Sequence, residues 1–192
     1  MLGKLQTPTA NLVISYQKQF EQGEYAITDK AISKLFQTFP RNDRFEEVLL
    51  KVTALNGLYY TNILATYEVA KRICELKIDS QLEQESPELV DIIAPLSIRG
   101  KTRRNYSFAS KYCSWHVPDA YPIYDSFVER LIWAYYRQDS FARFKRSDLQ
   151  SYPRYKEVVE AFRNHYRLTR FNFKELDKFL WLYGKKVFAS RS

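Results

Sequence analysis

Asp125 is the residue whose type and position are best suited to chemistry. It follows the extended segment 121–124 and stands where the apolar spacing of the next residues predicts the start of a helix. Backbone N–H groups at a helix start stabilise a carboxylate, and a fixed carboxylate can orient water, accept a proton or stabilise positive charge. Two structural alternatives compete with this interpretation. Either Asp125 itself caps the helix, or Ser126 does so in a capping box with Glu129.

A cationic stretch precedes Asp125 in the chain. Four cations fall within six residues of a segment predicted to be a loop, namely Arg99, Lys101, Arg103 and Arg104. A charge run is usually a solvated surface, but a short basic loop that opens a helix is also a geometry for contacting phosphates. The whole chain carries a net charge of +8, with 30 Lys and Arg against 22 Asp and Glu. These charges favour nucleic acid as the partner.

The run at 122–130 has a family resemblance. It resembles the segment around the catalytic aspartate of the helix-hairpin-helix (HhH-GPD) DNA glycosylase superfamily, in which Pro-Ile-hydrophobic-Asp-small-x-Val-x-Arg begins a helix. In the endonuclease III branch of that family the catalytic lysine lies 18 residues before the aspartate, and Ser107 occupies that distance here. With a serine at this position the sequence resembles the adenine glycosylases, which lack the lysine nucleophile. The run Ser-Phe-Ala-Ser-Lys at 107–111 resembles the corresponding run of divergent bacterial 8-oxoguanine-glycosylase-like proteins.

Farther upstream, the resemblance extends over about residues 45–136. The segment 49–63 resembles the helix–turn–helix before the base-flipping wedge of the family, and Asn56 lies near the residue that fills the gap left by a flipped base. The hairpin of the family, Leu-Pro-Gly-Val-Gly, is replaced here by a run that keeps Gly100 as its one glycine. Cationic side chains would then take over the phosphate contacts of the backbone amides.

The resemblance implies a DNA glycosylase that acts on double-stranded DNA without a metal or another cofactor. Asp125 would assist hydrolysis of the N-glycosidic bond in a monofunctional enzyme, with Ser107 and Asn56 among the DNA contacts. Lys111, one helical turn after Ser107, is either a solvated or phosphate-contacting lysine or the nucleophile of a bifunctional glycosylase/lyase. A flipped base needs aromatic walls. The candidate walls are Tyr59, Tyr60, Trp115, Tyr121 and Tyr124.

Two further functions stay open at this point. The first is a DNA-binding protein that has the same fold and no catalytic activity, and the second is an interaction protein with a surface aromatic site. The sequence also leaves open which base is excised, and whether it is host damage or a hypermodified base of phage DNA.

The elements that must position these residues are predicted to be helical. Aromatic residues make up 16% of the chain, which has 5 Gly and 7 Pro, and no segment has a convincing strand period. The fold class is therefore all-α. The resemblance implies a helix-hairpin-helix DNA glycosylase-like fold of two helical lobes with a cleft between them. The predicted helices cover about 9–21, 28–39, 42–56, 58–76, a short helix from 87, 105–116, 127–136, 158–167 and 173–183. Gly57 is expected to separate two of them and Gly184 to end the last.

The predicted domains are a glycosylase-like core at 45–135 and a terminal lobe formed by 1–44 and 136–192. Cys74 and Cys113 match no metal-ligand spacing, and we expect both thiols to be reduced. The residues after Lys4 are polar, which argues against a secretory signal, and no apolar run is long enough to span a bilayer. We therefore expect a cytoplasmic protein. The sequence leaves the oligomeric state open, with a monomer favoured.

Overall fold

The computed structural model describes residues 3–98 and 100–189. These residues form a mostly helical protein, which confirms the predicted all-α class. The elements in chain order are α1 (Ala10–Gln22), α2 (Glu24–Thr38), α3 (Phe45–Tyr59), α4 (Thr66–Leu76), α5 (Asp79–Glu83), α6 (Glu88–Ile93), β1 (Pro95–Ile98), β2 (Lys101–Arg104), α7 (Tyr106–His116), α8 (Ser126–Asp139), a 3₁₀ turn (Arg146–Gln150), α9 (Tyr152–His165) and α10 (Phe173–Ala189). None of the described helices combines the length and the apolar character needed to cross a membrane.

The chain divides into two compact units. The terminal unit comprises Met1–Glu24 with Pro122–Ser192, and the central unit comprises Tyr25–Tyr121. The division predicted from the sequence, after residues 44 and 135, differs from these bounds. Residues 25–44 belong with the centre because Phe36 of α2 packs edge-on against Tyr112 of α7, with 5.4 Å between ring centroids. Helix α8 belongs with the termini because it packs against α10.

In the terminal unit, α1 lies against α10. Thr9 caps α1 by accepting a hydrogen bond from the Leu12 amide at 3.2 Å. The buried stripe of α1 follows helical spacing and includes Tyr16, whose ring centroid lies 5.6 Å from that of Phe179 and 5.5 Å from that of Tyr183. Apolar and aromatic burial therefore joins the first and last helices of the chain.

Gly184 lies inside α10, so the prediction that it ends this helix is wrong. A Cβ atom at Gly184 would lie 2.9 Å from the backbone oxygen of Phe127, in the first turn of α8. The glycine is therefore required by close packing rather than by a helix stop, and it lets α10 approach the start of α8.

The segment before α1 is fixed to α8 and α10 by hydrogen bonds. The side-chain amide of Gln138 accepts from the Leu5 amide at 2.7 Å and donates to the Leu5 carbonyl at 3.4 Å. Tyr135 donates to the Gln6 carbonyl at 2.7 Å, and the Gln6 amide donates to the Tyr183 hydroxyl at 3.0 Å. Residues 5 and 6 therefore have their backbone groups satisfied by α8 and α10.

In the central unit, α3 packs against α4 and α7, and α6 packs against α7. Helix α3 runs through Gly57 to Tyr59, so the predicted break at Gly57 is wrong. The residue after it, Tyr60, has a left-handed backbone with a φ of 48° and caps the helix.

The absence of strands is another incorrect prediction. Strands β1 and β2 form an antiparallel hairpin in which Leu96 pairs with Arg103 and Ser97 with Thr102. Gly100, at φ +76°, supplies the left-handed backbone that this turn requires.

A buried ammonium group ties α3 to the end of α2. Lys51 is 0% exposed, and its Nζ donates to the Phe39 carbonyl at 3.0 Å, the Arg41 carbonyl at 2.8 Å and Asn42 Oδ1 at 2.8 Å. Phe39 and Arg41 directly follow α2, where a cation is favourable because helix C-terminal carbonyls carry partial negative charge. Burial lowers the pKa of Lys51 to about 8, against the attraction of Asp79.

Asn42 connects this lysine to the rest of the cluster. Its Oδ1 also accepts from the Tyr112 hydroxyl at 2.6 Å, and its Nδ2 donates to Asp79 Oδ1 at 2.7 Å. His116 lies beside the cluster, with Nε2 3.5 Å from Lys51 Nζ. Burial and the lysine charge lower the pKa of His116 to about 3, so its imidazole is neutral at pH 7.

Candidate functional site

Asp125 is the N-cap residue of α8. Its backbone is extended, with φ −139° and ψ 150°, and its Oδ1 accepts a hydrogen bond from the Phe127 amide at 2.9 Å. Ser126 is the first helical residue, and the carboxylate of Glu129 is held by Arg146 through contacts of 2.8 and 3.1 Å. The predicted capping box between Ser126 and Glu129 is therefore wrong, because Asp125 caps the helix and Glu129 pairs elsewhere. The Asp125 side chain is half-buried.

The segment before Asp125 is held by α9. The buried hydroxyl of Tyr152 donates to the Pro122 carbonyl at 2.7 Å, and that of Tyr155 donates to the Ile123 carbonyl at 2.6 Å. Each hydroxyl satisfies a carbonyl of a segment that has no strand partner. With the cap bond to Phe127, these contacts fix the backbone on both sides of Asp125. The sequence offered little signal for this contact, because the predicted helix begins at residue 158, whereas α9 begins at Tyr152.

Ser107 and Lys111 lie together on α7. Lys111 is 5% exposed, and its Nζ donates to Ser107 Oγ at 2.6 Å. The spacing of i, i+4 places the two side chains on one face of the helix, as the sequence indicates. The interpretation of Lys111 as a solvated lysine is wrong, because the side chain is buried. Both residues belong to the central unit, whereas Asp125 belongs to the terminal unit.

The cationic segment is a strand rather than a loop, since residues 101–104 form β2 and all four are exposed. Arg104 forms an ion pair with Asp91 at 2.6 Å, and its guanidinium lies 4.0 Å from the centre of the Tyr106 ring. Lys101 and Arg103 form no ion pair with any residue of 3–98 or 100–189. Arg99 lies outside the described residues.

Asn56, the predicted gap-filling residue, lies in α3 and its side chain binds the loop that follows this helix. Its Oδ1 accepts from the Ile63 amide and from Thr61 Oγ1, both at 2.9 Å, and its Nδ2 donates to the Ile63 carbonyl at 3.1 Å. The loop that Asn56 organises exposes Tyr60 at 84% and Leu64 at 90%. The sequence pattern assigns Leu64 to the core, but Ile63 is the buried member of this adjacent pair.

The structure brings together two of the five aromatic residues predicted to enclose a base. The rings of Tyr59 and Trp115 lie edge-on in the central unit, with their centroids 6.1 Å apart. Tyr121 is 0% exposed and donates to the Ser86 carbonyl at 3.0 Å, and burial raises its pKa. Tyr124 lies in the terminal unit and accepts from Gln150 Nε2 at 2.9 Å, while Tyr60 projects into solvent. Tyr121 therefore offers no surface to a base.

Comparison of the sequence with known proteins identifies the family of this chain. The model of the HI_0787_N family, which describes an N-terminal domain, matches residues 12–120. That match ends at the boundary where the central unit gives way to Pro122. An "uncharacterized protein" of Haemophilus influenzae (strain ATCC 51907 / DSM 11121 / KW20 / Rd) is 45% identical over 144 residues, which cover 74% of this chain and 69% of the relative. No solved structure matches the chain. By both the family model and this relative, the chain belongs to the HI_0787_N family.

Proposed function

We propose that this protein is a DNA glycosylase that flips a damaged or modified base from duplex DNA and hydrolyses its N-glycosidic bond. The observation that supports catalysis is the half-buried carboxylate of Asp125, whose backbone is fixed by Phe127 on one side and by Tyr152 and Tyr155 on the other. A catalytic group held by its surroundings needs little reorganisation during the reaction.

Asp125 would act on the sugar of the flipped nucleotide. As the C1′–N bond breaks, the base leaves with the bonding electrons and takes a proton, and positive charge develops on the sugar. The carboxylate stabilises that charge and accepts a hydrogen bond from the attacking water, whose oxygen forms the new bond to C1′. No cofactor is required for this sequence of bond changes.

The central unit provides the surface that we propose for DNA. Lys101 and Arg103 present cations on the exposed strand β2, and Leu64 presents an apolar side chain at the tip of the loop before α4. Helix α4 connects these features, since it begins directly after the loop and lines a groove with β1 through two cations and two carboxylates, Lys71, Arg72, Glu68 and Glu75. Cations suit the phosphates, and an exposed apolar side chain suits insertion between bases during flipping.

The function is tested by base release. Duplexes that each carry one altered base, including 8-oxoguanine, adenine opposite 8-oxoguanine, uracil and alkylated purines, are incubated with the protein, and abasic sites are then cleaved with alkali. We expect one substrate class to give abasic sites in single-turnover reactions. Salt-dependent duplex binding without release from any duplex would instead favour the DNA-binding protein without catalysis. The lack of both would favour an interaction protein.

Arg103→Ala is expected to weaken duplex binding about fivefold at low salt and to reduce the slope of log affinity against log salt by about 1, because one phosphate contact is lost. Fluorescence anisotropy over a salt series measures both quantities. Lys34→Ala is the matched control, since it removes an exposed cation of the central unit outside the hairpin. Equal losses in the two variants would argue against a specific role for the hairpin.

Leu64→Ala is expected to lower the single-turnover excision rate about tenfold, since flipping costs a few kcal/mol that an inserted side chain offsets. Affinity for unmodified duplex should change little. Leu50→Ala makes the same truncation at a leucine of α3 that is 49% exposed, and it should leave the rate unchanged. An unchanged rate in Leu64→Ala would remove this loop from the flipping step.

The buried amine of Lys111 supports a second version of the same function. Its Nζ lies 2.6 Å from Ser107 Oγ. Ser107 occupies the position at which the endonuclease III branch of the glycosylases has its catalytic lysine. A bifunctional enzyme would form a Schiff base from this amine and the C1′ of the sugar, with loss of water after the base has left. Borohydride reduction would then trap a covalent adduct that Lys111→Ala lacks, whereas a monofunctional enzyme gives no adduct.

A further inference from the structure

The terminal unit contains a cationic cavity that the proposed reaction does not use. Its volume is about 630 Å³, which is within the usual range for small-molecule sites. Among the residues that line it, four carry positive charge and none is acidic. The four are Lys4, Arg130, Arg137 and Arg146.

Two of the guanidinium groups are held in place by other side chains. Arg146 binds Glu129 through two hydrogen bonds, and Arg130 lies over the Phe188 ring, 4.3 Å from its centre. Such fixed guanidiniums lose little conformational entropy when they bind an oxyanion. Arg130 and Arg137 lie on one face of α8, because seven residues make two helical turns.

The other two cations are exposed and lie apart from the acidic side chains of residues 3–98 and 100–189. Arg137 and Lys4 are exposed and form no ion pair within the described residues. Together with Arg130 they give the cavity at least three positive charges that Glu129 does not neutralise. Phosphate, with its two negative charges and several oxygens, is an anion that a group of arginines binds well.

The cavity also has an aromatic wall. Trp133 lines it, and the Trp133 ring is supported from behind by Tyr136, stacked at a centroid distance of 4.9 Å, and by Phe144 at 5.9 Å. A supported indole beside a cationic group suits a ligand that carries a flat ring close to a phosphate. A nucleotide has both parts.

We infer that this cavity binds a nucleotide phosphate, with the phosphate held by Arg137, Arg130 and Lys4 and the base stacked on Trp133. The ligand comes either from a free mononucleotide or from the 5′-phosphorylated end of a nucleic acid strand, because both present a terminal phosphate next to a base. The inference does not rest on glycosylase activity, since every residue concerned lies in the cavity of the terminal unit.

Titration calorimetry with the full chain tests the site, with dAMP, deoxyadenosine and inorganic phosphate as probes. We expect dAMP to bind at least tenfold more tightly than either of the other two, because it engages both the cations and the ring. Arg137→Ala should weaken dAMP binding at least tenfold. Arg143→Ala is the control, since it removes an exposed arginine of the same unit that does not line the cavity, and it should bind dAMP as the wild type does.

Trp133→Leu separates the two parts of the site. It should weaken dAMP binding and leave inorganic phosphate binding unchanged, and circular dichroism checks that this variant is folded. Whether the ligand is a free nucleotide or a strand end is decided by competition with a 5′-phosphorylated tetranucleotide and with its 5′-hydroxyl form. Competition by the phosphorylated form alone indicates a strand end, and failure of both to compete with dAMP indicates a free nucleotide. Absence of dAMP binding by the wild type, or equal weakening in Arg137→Ala and Arg143→Ala, would overturn the inference.

Discussion

Asp125→Asn is expected to lower the single-turnover rate of base excision by at least about 10³-fold, because the amide cannot stabilise the positive charge on the sugar or accept a proton from water. The substitution is matched to the structure. Asparagine caps helices as well as aspartate does, and its Oδ1 can accept the bond from the Phe127 amide that Asp125 accepts at 2.9 Å. The free energy of unfolding and the affinity for duplex should therefore stay close to wild type. The rate is measured with the substrate identified in the base-release panel.

Asp125→Ala is the companion variant. It removes both the cap and the carboxylate, so it should lose the same activity and about 1 kcal/mol of stability. If Asp125→Asn keeps full activity and Asp125→Ala loses part of it in proportion to unfolding, Asp125 is a helix cap and nothing more. The asparagine variant thus separates catalysis from capping, two roles that the sequence motif cannot separate.

Lys51→Met is expected to lower the free energy of unfolding by about 3 kcal/mol at pH 7. Methionine fills a similar volume, but it removes the hydrogen bonds that Lys51 donates to Phe39, Arg41 and Asn42. Asn42 Oδ1 keeps the bond from Tyr112, while the two carbonyls lose the lysine donor. Each buried acceptor left unsatisfied costs about 1 kcal/mol or more. Urea unfolding followed by circular dichroism measures the change. Lys34→Met, at an exposed lysine of α2, should change stability by less than about 0.5 kcal/mol.

The difference in stability between the wild type and Lys51→Met is expected to change with pH in a direction that the pKa of Lys51 determines. The pKa of Lys51 is about 8 in the folded chain and 10.5 ordinarily, so between these values the unfolded chain binds more protons. The stability of the wild type therefore increases with pH across this window relative to Lys51→Met, by about 3 kcal/mol when the window is fully crossed. Groups on which the Lys51 charge does not act cancel in the difference, whereas Cys74 does not, because the lysine charge opposes the rise that burial causes in its pKa. If the stability of the wild type relative to Lys51→Met stays constant or decreases from pH 8 to 10.5, this account is contradicted.

Helices with a clear apolar stripe could be predicted from the sequence, and short exposed strands could not. Val13, Tyr16 and Phe20 have helical spacing, and all three are buried in α1. Strand β2 has four exposed positions in succession, so it carries no alternation that would reveal a strand. The two glycine predictions failed because a glycine is ambiguous in sequence. Gly184 meets a close backbone contact within a helix, and among the glycines that the structure describes Gly100 alone has a left-handed backbone.

The candidate site was predictable at the level of helix faces and no further. The spacing of Ser107 and Lys111 indicated their contact, but the burial of Lys111 depends on packing around α7. Lys51 had a usable signal, since Val48, Lys51, Val52 and Leu55 follow one helical stripe that is buried throughout. A lysine on an apolar stripe should have been identified as buried. The α9 tyrosines that hold the segment before Asp125 lie 30 and 32 residues along the chain from the carbonyls they bind, a separation that pattern alone does not bridge.

The position of the central unit within the chain has a consequence for folding during synthesis. The terminal unit needs Gln6 to meet Tyr135 and Tyr183, across separations of 129 and 177 residues. Its loop-closure entropy is therefore high, and its completion waits until α10 has left the ribosome. The central unit consists of residues 25–121 and has all its own segments earlier in translation. Vectorial synthesis thus places the central unit first, with α1 unpaired until the last helix emerges.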